Sequence, residues 1–538
     1  MRSHKASIHW FRKGLRLHDN PALSHAVSCS ESVFPVFVMD PWFANEDLVG
    51  IRRYKFLLES LGDLDRSLRA KNSRLYIARG KPEDVLPELF ERFGATLLTF
   101  EKDTEPYARK RDTSMISFAE CNGIEVVPFT SHTLFDPSHL FDLNKKKSTT
   151  SYSSFCKLVG QLKVPTPIDT PCKIPRGPIV EKHINDAAYD VPSLVEMGYN
   201  EELLNIPCPP AHVYPGGESV GVARMHKYLG QKRYIAEFEK PKTSPNSLNP
   251  STTVLSPYLK FGCVSPRVFY HALLQVYKDV KKHTHPPVSL VGQLLWREFF
   301  YFNGFAVPNY DRMIGNPICK QIDWVDNEAY LNAWEMGRTG YPYIDAIMNQ
   351  LRSEGWIHHL ARHSAACFLT RGDLFVSWER GAKVFDKYLL DADWSLNNGN
   401  WMWLSASAFF YQYFRVYGPV SFGKKTDKEG EYIRKYVPVL RNMPRKYIYE
   451  PWNAPMAVQE NAGCIVGKDY PLPIVDHKIA SKQNMQWMSE GYKRSKLAKG
   501  AASKPTKKAT QGSGGNKKRK SAPGKSDIRG HFAQKKQK

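Results

Sequence analysis

Several motifs that mark common enzyme classes are missing from this sequence. It has no G-x-G-x-x-G turn, no G-x-S-x-G elbow and no Walker lysine loop. These absences disfavour a dinucleotide site in an N-terminal sheet, an α/β-hydrolase and a P-loop nucleotidase. The H-E-x-x-H pair of zinc hydrolases is also missing, and no metal is expected.

Cysteines are few, and no two of them are spaced as a metal-binding or redox motif would require. The nine cysteines are scattered from Cys29 to Cys464 without a C-x-x-C pattern, which favours a reducing compartment over a disulfide framework or a zinc module. No stretch approaches the roughly 20 apolar residues that span a bilayer, and Met1–Lys13 holds no apolar run of signal length. We therefore expect a soluble, intracellular protein without membrane association.

Acidic residues are almost absent from the C-terminal segment. Residues 493–538 contain sixteen Lys or Arg against one acid, Asp527, so this segment holds +15 of the total net charge of +23. The first 492 residues carry the remaining +8. An enzyme that meets a polyanion such as nucleic acid fits this distribution, and a basic surface kept for solubility is the alternative.

The same segment has too few large apolar residues to offset the entropy of ordering it, so residues 492–538 are expected to be a disordered basic tail. Within it, Lys517–Lys520 resembles a nuclear import signal, which predicts a nuclear protein; a nonspecific phosphate-binding tail is the alternative. Ile528, His531 and Phe532 loosely resemble a peptide that binds the replication sliding clamp, although Lys525 stands where glutamine is usual.

The rest of the chain is long enough for two folded domains. Short β-rich runs alternate with helical patterns up to about residue 130, and an apolar face recurs at helical spacing from Ile51 to Leu68. This alternation predicts an α/β domain with a parallel, Rossmann-like sheet over residues 1–130. The five expected strands are Ser7–Phe11, Val33–Met39, Arg74–Ala78, Thr96–Phe100 and Ile124–Val127.

Two further regions follow this domain. Residues 131–215 contain many prolines, and we expect an irregular connector there. Residues 216–491 show helical patterns with few strand candidates, and eight of the twelve tryptophans lie between Trp296 and Trp403. We expect this region to be a larger, all-helical second domain.

Two segments of the helical region combine residues that can bind an anion or move a proton. In Ser251–Leu259, hydroxyl residues precede or open a helix, where free backbone N–H groups favour a diphosphate; ordinary helix capping is the alternative. His359 and His363 share a helix face and can hand a proton to a substrate, because imidazole titrates near neutral pH. A metal pair is disfavoured, since Leu360 stands where H-E-x-x-H needs glutamate, and plain core histidines remain open.

A third segment, Asp391–Trp403, is dense in polar and aromatic side chains. Buried polar groups need hydrogen-bond partners, which a flat heteroaromatic ring with carbonyls and ring nitrogens would supply. Trp401 could donate an electron to such a ring. A structural polar network is the alternative.

These three segments, together with Trp10–Arg16, Gly337–Pro342 and Trp378-Glu379, resemble motifs of the photolyase/cryptochrome family. They stand in the family's order, and the resemblance spans about residues 6–490. It implies light-driven chemistry with FAD held in the helical domain, and it admits an antenna pigment, a folate or a deazaflavin, in the α/β domain. The FAD-binding residues that it implies are Lys240, Thr252, Thr253, Leu255, Ser256, Arg297, Arg362, Asp391, Asp393 and Asn397.

The resemblance also implies a tryptophan chain for photoreduction, formed by Trp401, Trp378 and Trp324. Closely spaced oxidisable rings are needed because electron tunnelling decays steeply with distance. Some relatives add a fourth oxidisable ring three residues before the middle one, where this sequence has Phe375. We therefore expect a radical pair with a shorter lifetime than in those relatives.

Within the family, the His359 and His363 pair resembles the (6-4) photolyase group, which repairs (6-4) pyrimidine–pyrimidone photoproducts in UV-damaged DNA. His363 is the expected acid, and His359 is its proton-sharing neighbour. A cryptochrome that signals blue light or acts in the circadian clock is the alternative, since related clock cryptochromes keep both histidines. The protein is expected to act as a monomer. The DNA-binding and lesion-binding residues implied by the resemblance are Gln293, Trp296, Trp403, Arg415 and Tyr417.

Overall fold

Five parallel strands form the N-terminal sheet. A computed structural model describes residues 3–43, 48–177, 180, 183, 186–204 and 213–502. The strands are β1 (His4–Phe11), β2 (Ser30–Met39), β3 (Tyr76–Arg79), β4 (Leu97–Glu101) and β5 (Glu125–Phe129), in the order β3-β2-β1-β4-β5. The predicted parallel sheet is confirmed, and no predicted strand end is displaced by more than three residues.

The central strand β1 is buried because its neighbours and the crossover helices cover it. Ile8 pairs with Phe34 of β2 and with Leu98 of β4, and all three side chains are inaccessible to solvent. Strands of parallel sheets are apolar on both faces for this reason. The apolar face predicted over residues 51–68 lies on α2, and most of its side chains are buried. The helices of this part are α1 (Pro21–Cys29), α2 (Ile51–Arg69), α3 (Pro82–Phe93) and α4 (Pro106–Cys121).

The predicted connector is irregular only in its later part. It begins with two short helices, α5 (Pro137–Leu143) and α6 (Tyr152–Val159), which precede the proline-rich stretch. Residues 160–177 form no helix or strand, and single 3-10 turns lie at Ala187–Tyr189 and Glu201–Leu204. The predicted domain boundaries near residues 130, 215 and 491 stay predictions.

Helices dominate from residue 213 onward, as predicted. Short 3-10 turns lie at Lys240–Lys242, Pro438–Leu440 and Pro451–Asn453, and a π-helical turn lies at Phe368–Gly372. The helices are α7 (Glu218–Leu229), α8 (Lys232–Glu237), α9 (Ser256–Phe261), α10 (Pro266–Val280), α11 (Leu290–Ala306), α12 (Glu328–Glu335), α13 (Pro342–Glu354), α14 (His359–Cys367), α15 (Trp378–Tyr388), α16 (Trp394–Leu404), α17 (Ser421–Thr426), α18 (Glu431–Tyr436), α19 (Met456–Asn461) and α20 (His477–Ala502).

One apolar cluster joins the sheet to the helical region. It runs from Phe11 on β1 through α2 to Phe299 on α11 and Trp378 on α15. A second cluster fills the opposite face of the sheet. Full burial of one large apolar side chain stabilises a fold by about 1.5–3 kcal/mol, so this shared core fixes the helices that surround the site.

Arg16 ties the segment after β1 to the helical region through buried hydrogen bonds. Its guanidinium is inaccessible to solvent and donates to the backbone oxygens of Gly262 and Asp19 and to Ser131. Asp19 in turn accepts hydrogen bonds from the side chain of Arg267, also buried. The Trp10–Arg16 motif therefore anchors the loop that follows α9.

Within the described part of the chain, no helix combines the length and the apolar character needed to cross a bilayer. The segments predicted for nuclear import, 517–520, and for clamp binding, 525–532, lie outside the described residues.

Candidate active site

A cavity of about 290 Å³ lies in the helical region. Its walls come from the loop before α9, from α11, from the start of α14 and from the segment that leads into α16. All ten residues that the family resemblance assigns to FAD line this cavity, and so do His359, His363, Gln293 and Trp401. The fold thus brings together segments that are far apart in the sequence.

The hydroxyl-rich loop before α9 lines the cavity and does not cap the helix. The residue that caps α9 is Leu255, which makes no side-chain cap hydrogen bond, and Val254 before it has a left-handed φ of 49°. The backbone oxygens of Thr252 and Thr253 accept hydrogen bonds from Tyr228 and Arg224. Ordinary helix capping therefore does not explain these hydroxyl residues, whereas a role in the cavity does.

Arg362 and Asp391 form the charged pair expected beside the cofactor. The guanidinium donates from Nη1 to Oδ1 over 3.0 Å and from Nη2 to Oδ2 over 2.8 Å. Ser256 Oγ donates to the same Asp391 Oδ2 over 2.6 Å. A two-point pair of this kind is rigid and holds both charges at a fixed place in the cavity wall.

Asp393 is held from two sides at the start of α16. Its Oδ1 accepts hydrogen bonds from the backbone N–H groups of Ser395 and Leu396, which makes Asp393 the helix cap. Its Oδ2 accepts a hydrogen bond from Tyr301, and Lys13 Nζ lies 3.5 Å from it. Asp393 therefore belongs to a structural polar network, which was the alternative interpretation of this segment. The same carboxylate also lines the cavity.

Two more cavity residues present polar groups to a ligand. Arg297 is buried, and its Nη1 donates to Glu298 over 3.0 Å, while its Nη2 has no hydrogen-bond partner among the described residues. Asn397 is also buried and donates from Nδ2 to the backbone oxygen of Ala382 over 2.9 Å. An unpaired donor on a buried cation costs free energy, which a polar or anionic ligand would recover.

The two predicted histidines lie together at the start of α14. His359 is its first residue, and the ring centroids of His359 and His363 are 6.1 Å apart with the rings nearly perpendicular. His363 Nδ1 lies 3.2 Å from the hydroxyl of Tyr417. His358 caps the helix by accepting a hydrogen bond at Nδ1 from Leu360 N, a role that the sequence analysis missed.

Both histidines are held neutral near pH 7. Burial lowers the pKa of His363 to about 3, and the charges of Lys240 and Arg371 act in the same direction. Burial, followed by Lys240, also lowers the pKa of His359 well below its usual value. A negative charge placed in the cavity would raise the pKa of both imidazoles, so protonation of the pair is linked to anion binding.

Of the five residues assigned to DNA and the lesion, only Gln293 lines the cavity. Trp296 and Trp403 meet edge to face with ring centroids 5.3 Å apart, and both are half-buried. Gln293 lies one helical turn before Trp296 on α11 and lines the cavity directly. The two indoles therefore form an aromatic pair about one helical turn from a residue of the cavity wall.

Arg415 and Tyr417 belong to a loop that a buried arginine holds in place. Arg371 donates from Nη1 to the backbone oxygens of Tyr413 and Arg415, and from Nε to that of Leu404. Arg415 itself is exposed, and Tyr417 is half-buried against His363. The loop therefore carries one exposed cation and one residue in contact with the histidine pair.

The three tryptophans assigned to photoreduction differ in their contact with the cavity and in their exposure to solvent. Trp401 lines the cavity, Trp378 is fully buried as the first residue of α15, and Trp324 is half-buried. Helices α15 and α16 are packed so closely that a side chain at Gly381 would overlap the Trp401 ring. Trp401 therefore lies at the cavity and Trp324 is in part exposed to solvent, while the electron-transfer role of the three residues stays a prediction.

A second cavity of about 260 Å³ adjoins the first, in the part of the chain where the sequence analysis admits an antenna pigment. It is lined by Trp10 of β1, by Trp42 after β2 and by helical residues. Lys260 and Asp393 line both cavities, and burial lowers the pKa of Lys260 to about 7. No local sequence pattern marks Lys260, because its role arises only when the sheet and the helices pack together.

Comparison with known proteins agrees with this geometry. The model for DNA photolyase matches residues 7–172, and the model for the FAD-binding domain of DNA photolyase matches residues 290–490. The (6-4)DNA photolyase of Arabidopsis thaliana is 50% identical over 93% of this chain and 91% of its own length. The chain belongs to the photolyase/cryptochrome family.

Other members of the photolyase/cryptochrome family are as similar. Cryptochrome-2 of Gallus gallus is 50% identical over 91% of this chain and 84% of its own length. The crystal structure of a class III photolyase from Agrobacterium tumefaciens is 29% identical, with a TM-score of 0.75 over 91% of this chain and 98% of that one. This photolyase/cryptochrome chain therefore has an FAD-binding domain, and the fold predicted from its sequence is confirmed.

Proposed function

We propose that this protein is a (6-4) photolyase that uses light to repair (6-4) pyrimidine–pyrimidone photoproducts in DNA. The observation that carries the proposal is the position of His359 and His363, with Tyr417 in contact, in the wall of the cavity that the FAD-assigned residues line. Reversal of this lesion moves a hydroxyl between two bases and needs a proton donor, whereas splitting a cyclobutane dimer mainly needs an electron.

The cavity residues fit FAD. The hydroxyl-rich loop and the unpaired Arg297 Nη2 suit the phosphates and polar edges, and the Arg362–Asp391 pair offers a fixed charge pattern to a heteroaromatic ring. Bound FAD supplies light-driven one-electron chemistry, which no side chain of the protein can supply. Asn397 and Asp393 are the residues that we assign to the ring itself.

The residues of this chain would then bind the damaged base outside the DNA helix. Extruding a base costs a few kcal/mol, and less for a damaged pair, so the lesion itself supplies selectivity. Trp296 and Trp403 would pack against the extruded bases, Gln293 would hydrogen-bond a base edge, and the exposed Arg415 would bind a backbone phosphate.

His363 would donate the proton to the lesion and take it back after the hydroxyl has moved. Tyr417 fixes the ring through Nδ1, which leaves Nε2 as the nitrogen that exchanges the proton. His359 shares the proton with it one helical turn away. The phosphates of bound DNA bring negative charge next to a neutral pair, and this raises the pKa of His363 when substrate is present.

Illumination of the FAD-loaded protein with an oligonucleotide that contains one (6-4) photoproduct tests the proposal. We expect restored thymines, measured by chromatography, with the wild type and none with His363→Ala, although both proteins retain flavin. Trp452→Phe, at a residue that does not line the cavity, is the matched control and should repair at the wild-type rate. Full repair by His363→Ala would contradict the assignment of the acid.

A cryptochrome function is the second candidate, because cryptochromes are as similar to this chain as the (6-4) photolyase is. In that case FAD would serve as a light sensor, and the helical surface would bind a partner. The same experiment separates the two: a light-dependent structural change without restored thymines indicates signalling. We favour repair because Thr252–Ser256 and Phe414–Tyr417 resemble the sequences of repair enzymes.

We also propose that the protein acts in the nucleus, directed by Lys517–Lys520. A fluorescent fusion of the full chain should collect in the nucleus, and replacement of all four basic residues by alanine should spread it through the cell. Replacement of Lys535, Lys536 and Lys538, which removes charge from the same tail, is the control. An unchanged distribution of the first variant would refute the import signal.

A further inference from the structure

Aromatic rings continue beyond Trp324 to a tryptophan on the last helix. The ring centroids of Trp324 and Phe375 are 4.8 Å apart, and those of Phe375 and Trp487 are 4.9 Å apart. The two indole centroids are therefore separated by no more than the sum of these two distances. Phe375 is 2% exposed, while Trp487 on α20 is 38% exposed.

Trp324 is a poor place for a positive charge to rest. Its indole Nε1 is shielded from solvent and has no acceptor among the described residues. An oxidised indole becomes long-lived by losing its N–H proton, and a shielded N–H without an acceptor cannot lose it. A charge on Trp324 must therefore return toward the cavity or move outward.

Trp487 offers what Trp324 lacks. Water reaches its side chain, and solvation stabilises a cation relative to the interior. Glu490 lies three residues further along α20, on the same side of the helix, where a carboxylate favours a cation. Solvent next to the ring can also take the proton from the oxidised indole.

Tyr492, which packs in the same apolar cluster as Trp324 and Phe375, is a worse donor than Trp487. Tyr492 packs 4.8 Å from Tyr413, and its hydroxyl donates to the backbone oxygen of Ala406. Oxidation of a phenol near neutral pH requires loss of its proton, and a backbone carbonyl is not a base. Burial also raises the pKa of Tyr492.

We propose that Trp487 is the terminal electron donor of the photoreduction chain, reached from Trp324 across the Phe375 ring. The proposal rests on the proposed electron-transfer roles of Trp401, Trp378 and Trp324. Phe375 stands where some relatives have a fourth oxidisable ring. In this chain Trp487, on a different helix, would serve as the fourth ring instead. The sequence-based expectation of a short-lived radical pair is then revised.

Loss of one electron from the inner chain to light-excited oxidised FAD would leave Trp324 as a radical cation. Trp487 gives one electron to Trp324, which returns to a neutral indole. The Trp487 radical cation releases its Nε1 proton to water, and an external thiol later restores the indole by giving one hydrogen atom, itself becoming a thiyl radical.

Transient absorption after a blue flash, on full-length protein loaded with oxidised FAD, tests the proposal. In the wild type we expect a neutral tryptophan radical that is still present after the initial decay of the flash-induced signal. Trp487→Phe should shorten its lifetime several-fold and lower the yield of photoreduction in the presence of thiol. Trp452→Phe, which removes a half-buried tryptophan that contacts Tyr341, is the matched control and should behave as wild type.

A second variant separates the path from the packing of α20. Phe375→Leu keeps an apolar side chain but removes the aromatic bridge, so it should shorten the lifetime in the same direction while Trp487 stays in place. Equal lifetimes in Trp487→Phe and wild type would overturn the proposal, because a residue that only packs would leave the photochemistry unchanged.

A third variant tests the inner tryptophan chain separately from Trp487. Trp324→Phe should abolish the long-lived radical whether or not Trp487 participates. If the wild type and Trp324→Phe behave alike, the inner relay is wrong and the proposal falls with it. If Trp324→Phe loses the radical and Trp487→Phe does not, only the role of Trp487 is refuted.

Discussion

Asp391 holds two other residues of the cavity wall in place, Arg362 and Ser256. Asp391 is almost fully buried, and it receives hydrogen bonds from Arg362 and from Ser256. Asp391→Asn keeps the shape but removes the charge, so the Arg362 cation loses its partner. We expect the free energy of unfolding to fall by about 3 kcal/mol and FAD retention to fall.

Flavin absorbance after gel filtration and denaturant unfolding measure these two effects. Asp326→Asn, which alters an exposed carboxylate that does not line the cavity, is the control for the loss of one negative charge and should retain its flavin. If Asp391→Asn keeps its full complement of FAD, the pair supports the fold only and does not serve the cofactor.

His9, on β1 and outside the wall of the first cavity, makes stability depend on pH. Burial lowers the pKa of His9 to about 3, and the charge of Arg12 acts in the same direction. Below pH 6.5 the unfolded chain binds a proton here and the folded chain does not, so the free energy of unfolding falls as the pH drops from 6.5 toward 3. At pH 5 this single group should account for about 2 kcal/mol of lost stability.

Urea unfolding at pH 7 and pH 5 measures this dependence. His9→Asn should reduce the difference between the two pH values, although it lowers stability at pH 7 because the hydrogen bond of His9 to Thr99 is lost. His139→Asn, at an exposed position, should leave the wild-type difference intact. The same pH dependence in His9→Asn as in the wild type would contradict the argument.

Single residues could be assigned from the sequence where a motif marks them. Eight of the ten FAD-assigned residues fall in such segments, Lys240 and Arg297 lie outside them, and all ten line the cavity. Tyr301, His132 and Lys260 could not be assigned, because their roles depend on contacts between the sheet and the helices. A buried network of this kind has no local spacing that would reveal it.

At the scale of elements, Arg371 connects the π-helical turn after α14 to the loop that carries Arg415 and Tyr417. It is buried and satisfies three backbone oxygens. Arg371→Met would leave these acceptors without a partner, and each unsatisfied acceptor costs about 1–3 kcal/mol. We expect a loss of at least about 3 kcal/mol of stability and weaker binding of lesion-containing DNA.

Thermal unfolding and DNA titration in the dark check this prediction. Arg371→Lys, which keeps the charge but offers one donor group instead of a planar fork, should lie between the wild type and Arg371→Met. Arg380→Met is the control, since Arg380 pairs with exposed carboxylates at the surface. Unchanged DNA affinity in Arg371→Met would show that the loop holds its position without this residue.

The regular elements could be predicted because their patterns are local. The strands follow from β-rich runs, and α2 follows from its apolar period. The π-helical turn at Phe368–Gly372, with Thr370 outside helical geometry, and the left-handed φ of 55° at Phe375 could not be predicted. Both depend on tertiary packing, which overrides local preference in this part of the helical region.

At the scale of the whole molecule, charge is concentrated at one end of the chain. Residues 503–538 contain twelve Lys or Arg and one acid, so their removal takes the net charge from +23 to +12. Fewer cations release fewer counterions from DNA. We expect the truncated protein to bind undamaged DNA more weakly, with a smaller dependence of log affinity on log salt concentration.

Repair at saturating DNA should be unchanged by this truncation, since the cavity residues all precede residue 503. DNA titrations at several salt concentrations and single-turnover repair measure the two quantities. A tail of equal length with its basic residues replaced by serine is the control that separates charge from chain length. An equal salt dependence with and without the tail would contradict the argument.

The wall between the two cavities is only one layer of side chains thick, because Lys260 and Asp393 border both of them. Any charged molecule seated in the second cavity therefore changes the electric field at the first. The colour of the flavin is sensitive to such a field, so occupancy of the neighbouring site should appear as a small displacement of the flavin absorption bands. By the reciprocity of linked binding, FAD would in turn alter the affinity of that neighbour.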